Sequence, residues 1–321
     1  MSSFCQTLLA ACCCGCMLAS PVNAAENDWL RNSFEPEAGE QYVVPRPVPE
    51  VSIEDLSHLE GPFDSQFPDL SVDENPFYHG VETDRASFTP ALSTATVGNV
   101  ILESGYSFIA NRNLPSQHSM PELVIRYGLT ERIEARFGWN QEIGGGGSVI
   151  SPVQQQEGLV APNRETIVSA SRFMGGLKVR LFDQDGLFPA NTVLFEGYFP
   201  SFGDTRKRQV AATYAIGWEL SPRWKLNASV RYATESEFGD DWSTWSPAIV
   251  LKVPFAERWT AQVEGFGVLP HGQSGGVPQY FAGPGLQVLL TPAIELNLRV
   301  GTGLNSVSPE FYSSAGFGVT F

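Results

Sequence analysis

Apolar and polar residues alternate along most of this chain, from about residue 96 to the C-terminus. The alternation falls into twelve runs, each near the length with which a tilted β-strand crosses a bilayer. The first run is GNVILESGYSFIA (98–110), and the last, FYSSAGFGVTF, ends at Phe321. A period of two residues over runs of this length predicts β-strands, each with one apolar and one polar face.

The segments between the runs alternate in length. Five short connections, GLTER, DQDGLF, LSPR, PFAER and LTPA, are separated by longer ones that are polar and rich in glycine, among them TESEFGDD (234–241). The last four short turns recur at intervals of about 35 residues. Solenoids and propellers also have such periods, but a propeller blade needs four strands per repeat and this sequence provides two. The pattern predicts an all-β fold, an up-and-down antiparallel β-barrel of about 12 strands.

The stretch RYGLTERIEARFGW (126–139) shows what the two faces carry. One face has Arg126, Glu134 and Arg136, whereas the other has apolar residues such as Ile133 and Phe137. A soluble sheet also alternates in this way. However, an even number of strands joined by alternately short and long turns is typical of outer-membrane barrels, in which closure leaves no unpaired edge in lipid. We therefore expect a transmembrane barrel whose apolar face contacts the lipid bilayer and whose charged face lines an aqueous lumen.

Aromatic positions agree with this orientation. The last strand carries Phe317, Val319 and Phe321 at alternate positions, which resembles the signal that the outer-membrane barrel insertion machinery reads. Other aromatic residues lie at strand ends, as they do at membrane interfaces: Trp218, Trp224 and Trp259 beside short turns, and Trp139, Tyr232, Trp242 and Trp245 near long loops. We expect an outer-membrane location with both termini in the periplasm.

The alternation also predicts which charged residues line the lumen. These candidates are Glu103, Glu122, Arg126, Glu134, Arg136, Lys178, Arg180, Glu196, Arg231, Glu264 and Arg299. Both signs of charge occur, whereas a channel that selects one ion sign carries a ring of one charge. The mixture predicts pairing between neighbouring strands. Such pairs either fill a narrow lumen or line an open one, and the sequence leaves both alternatives open.

The N-terminal quarter has a different composition. Residues 1–24 combine a short apolar run with small residues before a cleavage site, which predicts a signal peptide. All five cysteines lie there, and whether Cys12 carries a lipid is left open. Residues 25–91 are rich in proline and acids and predict a mostly disordered periplasmic tail, either a linker or an arm that docks a periplasmic partner. Residues 92–321 form the predicted barrel.

The sequence offers little for other chemistry. It has no cluster of basic residues of the kind that binds nucleic acid. None of His58, His79, His118 and His271 has a partner at a metal-ligand spacing, so no metal or other cofactor is expected. Ser119 adjoins His118, but adjacent residues on a strand point to opposite faces. We therefore expect no enzymatic activity.

Two stretches resemble a known family. Thr83-Asp84-Arg85, Gly98 and Leu102-Glu103 occur in the order of its first motif, and Pro121-Glu122 and RYGLT (126–130) follow as in its strand-turn-strand motif. The sequence is thereby similar to the outer-membrane transporter family named for the MetA pathway of phenol degradation. Ala86 stands where the family usually has proline, and the tail before Glu82 lies outside the pattern.

The resemblance implies a barrel that passes small molecules. The sequence therefore predicts an outer-membrane channel for a small-molecule solute, with aromatic or hydrophobic compounds among the candidates. The alternative is a non-conducting envelope barrel whose periplasmic tail tethers a partner.

Overall fold

The computed structural model describes residues 80–112, 116–144, 168–202, 208–221, 224–237, 240–273 and 275–321. The predicted signal peptide and all of the predicted tail before residue 80 lie outside these described residues. Among the described residues, no helix has the length and apolar character that a membrane crossing requires.

Twelve antiparallel strands form one closed barrel, which confirms the predicted fold. The strands are β1 (Val100–Ala110), β2 (Gln117–Gly128), β3 (Ile133–Gly144), β4 (Val168–Phe182), β5 (Ala190–Pro200), β6 (Gln209–Ser221), β7 (Trp224–Glu237), β8 (Asp240–Ala256), β9 (Trp259–His271), β10 (Gln279–Thr291), β11 (Ile294–Gly303) and β12 (Phe311–Thr320). Each strand pairs with its neighbours in sequence, and β1 pairs with β12 from Ile101↔Thr320 to Ala110↔Phe311. This last ladder removes the open edge that a sheet cannot expose to lipid.

The two faces of the wall differ as the alternation predicts. Large apolar side chains are exposed on the outside, among them Phe137, Phe195, Ile249, Val263 and Leu298. Charged and polar side chains are buried on the inside. This distribution is the inverse of a soluble protein and is that of a barrel in the outer membrane, with a lipid-facing apolar surface and a polar interior.

Two local predictions were wrong. The stretch TESEFGDD (234–241) was expected to be a longer loop, but the β7–β8 ladder continues to Glu237↔Asp240. The alternation there belongs to two long strands. Trp242 was expected at the membrane interface beside Trp245, yet it is only 8% exposed whereas Trp245 is 46% exposed. Residues three positions apart on a strand face opposite sides, so Trp242 points into the lumen.

Candidate functional site

The lumen contains a segment of the chain's own N-terminal part, residues 81–96, which we call the lumen loop. At its start the N–H of Val81 donates to the carbonyl of Pro292, in the β10–β11 turn, at 2.8 Å. Just after its end the N–H of Gly98 donates to the carbonyl of Gly128, where β2 ends, at 2.9 Å. Both points lie at the short-turn end of the barrel, so the loop enters the lumen and returns to the same end.

The lumen loop contacts wall side chains on all sides. Wall side chains that contact it come from β1 (Glu103), β2 (Glu122, Arg126), β3 (Glu134, Arg136), β4 (Lys178), β5 (Thr192), β7 (Ser229), β8 (Lys252), β9 (Gln262, Glu264, Phe266), β11 (Glu295, Asn297) and β12 (Ser314). A segment that contacts strands on every side of a closed barrel lies inside it. Because residues 83–89 are each at most 1% exposed, the loop fills the lumen at their level.

Asp84 is the centre of a buried cluster of six charges. Its carboxylate contacts Arg126 at 3.7 Å, Lys178 at 2.9 Å and Arg136 in a shorter contact. The other two acids, Glu103 and Glu134, also contact Arg126, at 2.8 and 2.9 Å. Glu196 also lies 3.5 Å from Arg136, but it is paired with Arg231 at 3.7 Å. The wall otherwise supplies three cations and two anions to this cluster, so the carboxylate of the lumen loop balances it. An unbalanced charge at such a buried site costs several kcal/mol.

The side chain of Arg85 lies against the inner wall between β1 and β12. There Gly105 and Gly316 are paired across the two strands, and a Cβ at either position would collide with the Arg85 guanidinium. The guanidinium donates to the Ser314 hydroxyl at 3.0 Å and lies 3.0 Å from the Glu122 carboxylate. The glycine pair therefore forms a recess in the inner wall that accepts this side chain.

Thr83 has a similar recess. Its hydroxyl donates to Glu295 at 2.5 Å and accepts from Asn297 at 3.1 Å, and its methyl group lies where a Cβ on Gly318 would be. On the opposite wall, a Cβ on Gly217 would collide both with the side chain of Asn227 on β7 and with Leu92, so this glycine makes room for both the wall and the lumen loop. The inner wall is thus shaped to the lumen loop at the recesses for Arg85 and Thr83.

At the deepest point of the lumen loop, Phe88 packs against aromatic residues of the wall. Its ring stacks on Phe266 with the centroids 4.2 Å apart and the planes at 10°. Phe266 in turn stacks on Phe281 at 4.7 Å, and Tyr312 packs edge-on against both. The N–H of Phe88 donates to Glu264 at 2.6 Å. This cluster combines an apolar surface with one carboxylate.

Below the lumen loop, a cavity of about 610 Å³ opens at the short-turn end. Its walls carry both signs of charge, including Glu82, Arg180 and Lys225. Glu82 lies 2.8 Å from the Lys252 ammonium. Burial would raise the pKa of the Glu82 carboxyl, but the nearby Lys252 and Lys225 ammonium groups outweigh burial and lower this pKa to about 2. Glu82 is therefore ionised at neutral pH and anchors the start of the lumen loop.

The structure places ten of the eleven candidate lumen residues at buried positions on the inner wall: Glu103, Glu122, Arg126, Glu134, Arg136, Lys178, Glu196, Arg231, Glu264 and Arg299. Most of them pair across strands, for example Arg299 with Glu264 at 3.0 Å. Arg180 differs, because its side chain is 39% exposed and pairs with Asp183 near the turn. Phe317 and Val319 lie on the outward face of β12, and Phe321 follows its end.

Sequence reasoning missed the partner of these charges. Residues 80–91 were assigned to the tail, and in the structure most of them are buried against the wall. Proline and acidic composition pointed to a solvated segment, but Asp84 is neutralised by cations on β2, β3 and β4. One signal was available. The inward-facing glycines at 105, 316 and 318 interrupt an otherwise polar wall, as expected where another part of the chain approaches closely.

The neighbouring Ser119 and His118 do not converge. The His118 ring accepts or donates a hydrogen bond with the Tyr106 hydroxyl at 2.7 Å on the outer side, whereas Ser119 is buried on the lumen side. His271 is exposed at the end of β9. His58 and His79 lie outside the described residues.

Comparison with known proteins identifies a matching family and several solved structures of similar fold. The model of the family described as "Putative MetA-pathway of phenol degradation" matches residues 83–321. The matched range starts in the lumen loop, so the loop and the barrel form one matched unit. No protein of curated function matches this sequence.

Three solved structures illustrate the similarity of the fold. An outer-membrane channel from Pseudomonas putida F1 is 14% identical, with a TM-score of 0.49, over 72% of this chain and 98% of that one. The NanC porin is 10% identical, with a TM-score of 0.45, over 68% of this chain and 98% of that one. The CymD monoaromatic hydrocarbon channel is 9% identical, with a TM-score of 0.38, over 70% and 89%. At such low identities these likenesses indicate nothing about the solute.

Proposed function

The chain belongs to the MetA-pathway family of phenol degradation, and we propose that its barrel is a gated outer-membrane channel for small solutes, with the lumen loop as the gate. The solutes are small aromatic or hydrophobic compounds, and the lumen loop leaves its place when they pass. The short-turn end faces the periplasm, as in other outer-membrane barrels.

The observation that carries this proposal is how the lumen loop is held. Its backbone-to-backbone hydrogen bonds to the barrel lie at the two ends, at Val81 and around Gly98. Between these ends it is held by side chains, including three cations around Asp84. Moving the loop therefore leaves every strand ladder of the barrel intact. Because the backbone groups of a closed barrel are already paired within its wall, side-chain contacts are what the lumen loop has to break when it moves.

The interior of the barrel also suits small solutes rather than ions of one sign. The charges of the inner wall are paired, so they present no ring of a single charge to an ion. The cavity below the loop is within the size range of sites for small molecules. The aromatic residues around Phe88 give an apolar surface on the far side of the charged cluster.

The test is solute flux into liposomes that hold the purified, folded barrel, with small sugars, amino acids and simple aromatics compared. Asp84→Ala leaves an uncompensated cation in the wall and removes the main attraction for the lumen loop. The closed position of the lumen loop loses about 3 kcal/mol of stabilisation. As long as only a small fraction of barrels is open, this loss raises the open fraction, and with it the flux, by about a hundredfold.

The matched control is Asp183→Ala, which removes two partly exposed ion pairs, with Arg132 and Arg180, near the β4–β5 turn. Exposed pairs contribute little, so its flux stays at the level of the wild type. If neither the wild type nor Asp84→Ala conducts, although both migrate as folded barrels, the channel proposal fails. The alternative, a non-conducting barrel whose tail binds a periplasmic partner, then takes its place.

A further inference from the structure

The aromatic cluster in the lumen has one member that belongs to the gate. Phe266 and Phe281 are on β9 and β10, Tyr312 is on β12, and Phe88 is on the lumen loop. The three wall residues contact one another, with Tyr312 edge-on to Phe266 at 5.8 Å and to Phe281 at 6.0 Å. They form an aromatic stack in the wall, and the lumen loop extends it by placing the Phe88 ring on Phe266. We call the place of the Phe88 ring against Phe266 the slot.

The rim of the slot carries a carboxylate that the gate also uses. One oxygen of Glu264 accepts from the N–H of Phe88 at 2.6 Å. The other oxygen accepts from Arg299 at 3.0 Å and from the Tyr312 hydroxyl at 3.1 Å. The wall partners hold the carboxylate in position and satisfy one of its oxygens. When Phe88 leaves, the other oxygen loses its donor while the ring surface of Phe266 is uncovered.

From this geometry we infer that the slot is a binding site for a single-ring aromatic compound that carries an O–H or N–H donor on a short side arm. Phe88 acts as a built-in competitor for the same site. The inference deepens the proposed function, since it rests on the lumen loop being able to move. In Phe88 the donor nitrogen is two carbons away from the ring, so 2-phenylethanol reproduces both the stacking contact and the hydrogen bond.

The Phe266 ring requires a flat aromatic ring in the ligand, and the Glu264 oxygen requires a hydrogen-bond donor. Ethylbenzene keeps the ring but offers no donor to the Glu264 oxygen, which then stays desolvated and unpaired. 2-Cyclohexylethanol keeps the donor, but its puckered ring stacks poorly on the flat Phe266. The site therefore ranks 2-phenylethanol above both analogues. A nonspecific apolar cavity would instead rank the three compounds by their apolar surface area.

Competition with Phe88 also links binding to opening. A compound in the slot excludes the Phe88 ring, so it favours barrels in which the loop has withdrawn. A ligand shifts such an equilibrium by its difference in affinity for the two states. The preferred solute of the channel is therefore also its opener.

The experiment measures binding of 2-(4-fluorophenyl)ethanol to the purified full-length barrel in detergent, by ¹⁹F NMR. Phe88→Ala removes the competing ring but keeps the N–H of residue 88, so the probe displaces only that backbone donor and binds about tenfold more tightly than it binds the wild type. Phe88→Leu keeps the slot largely filled and binds like the wild type. Adding Phe266→Ala to Phe88→Ala removes the stacking surface and abolishes the gain.

Heat-modifiable migration on gels checks that each variant is folded. Equal affinity of Phe88→Ala and the Phe88→Ala/Phe266→Ala double variant overturns the site, because that binding reflects the detergent or another surface. The result is separable from the flux test. Tight binding by Phe88→Ala with no flux through Asp84→Ala supports the slot and removes the channel. Flux through Asp84→Ala without binding of the probe by Phe88→Ala supports the channel and overturns the slot.

Discussion

Single glycines on the inner wall determine how closely the lumen loop can approach. Gly318 illustrates this most simply, because a Cβ added there meets one close neighbour, the methyl group of Thr83. The next atoms, Thr83 Cβ and Glu103 Cγ, are at 3.6 and 3.8 Å, which is ordinary contact. The absent side chain at this position therefore serves the lumen loop and not the packing of the barrel.

Gly318→Ala is predicted to open the channel. The new methyl group collides with Thr83 and disfavours the closed position by about 1–3 kcal/mol, which raises liposome flux by about tenfold. Adding Thr83→Ser removes the colliding methyl but keeps the hydroxyl that donates to Glu295, so the double variant returns to the flux of the wild type.

Gly175→Ala is the control for this pair. A Cβ at Gly175 has open space around it, and the variant is expected to behave like the wild type. Failure of Thr83→Ser to reverse the effect of Gly318→Ala would trace the change to the barrel itself and contradict the recess.

At the scale of elements, the strands were predictable and the lumen loop was not. Local alternation of apolar and polar residues predicts each strand. The closed barrel follows because a sheet of twelve such strands cannot leave an unpaired edge in lipid. The position of residues 80–91 depends on charges from strands that lie far away in sequence, such as Lys178 beside Asp84. Alternation predicted that Arg126 and Glu134 share the inner face, but it could not predict that Asp84 of the lumen loop completes their cluster.

The outward face of a strand supports a separate prediction. Leu298 lies in the middle of β11 and is 49% exposed on the outer surface. In a bilayer this position contacts lipid, so Leu298→Lys is expected to lower the free energy of unfolding by about 2–4 kcal/mol. The measurement is urea unfolding of the barrel in lipid vesicles.

Leu187→Lys provides the comparison for that variant. Leu187 is 90% exposed in the β4–β5 turn, where water or lipid headgroups receive the charge and the cost is about 0–1 kcal/mol. Equal effects of the two substitutions would mean that the middle of β11 does not contact lipid.

For the whole molecule, the connection between gate and wall explains how one chain supplies both. The lumen loop runs directly into β1, and Gly98 between them has a φ of +79°, a left-handed conformation that favours glycine. Both ends of the loop are fixed at the short-turn end, whereas Phe88 lies deepest in the barrel. The loop is therefore tethered, so it can withdraw and return without being lost from the barrel.

The central claim is that solutes pass only when the lumen loop leaves the lumen, and a disulfide tests it directly. A Cβ on Gly318 would lie 3.6 Å from the Cβ of Thr83, within the range that a disulfide requires. The sequence has no cysteine after Cys16, so Thr83→Cys/Gly318→Cys introduces a single pair into residues 17–321.

The measurement is liposome flux of this pair in the Asp84→Ala background, before and after reduction, with each single cysteine variant as a control. Oxidation is expected to hold the lumen loop in place and stop the flux, and reduction is expected to restore the flux to that of the single variants. Equal flux through the oxidised barrel, with the cross-link verified by mass spectrometry, would show that solutes pass with the lumen loop in place and would contradict the gate.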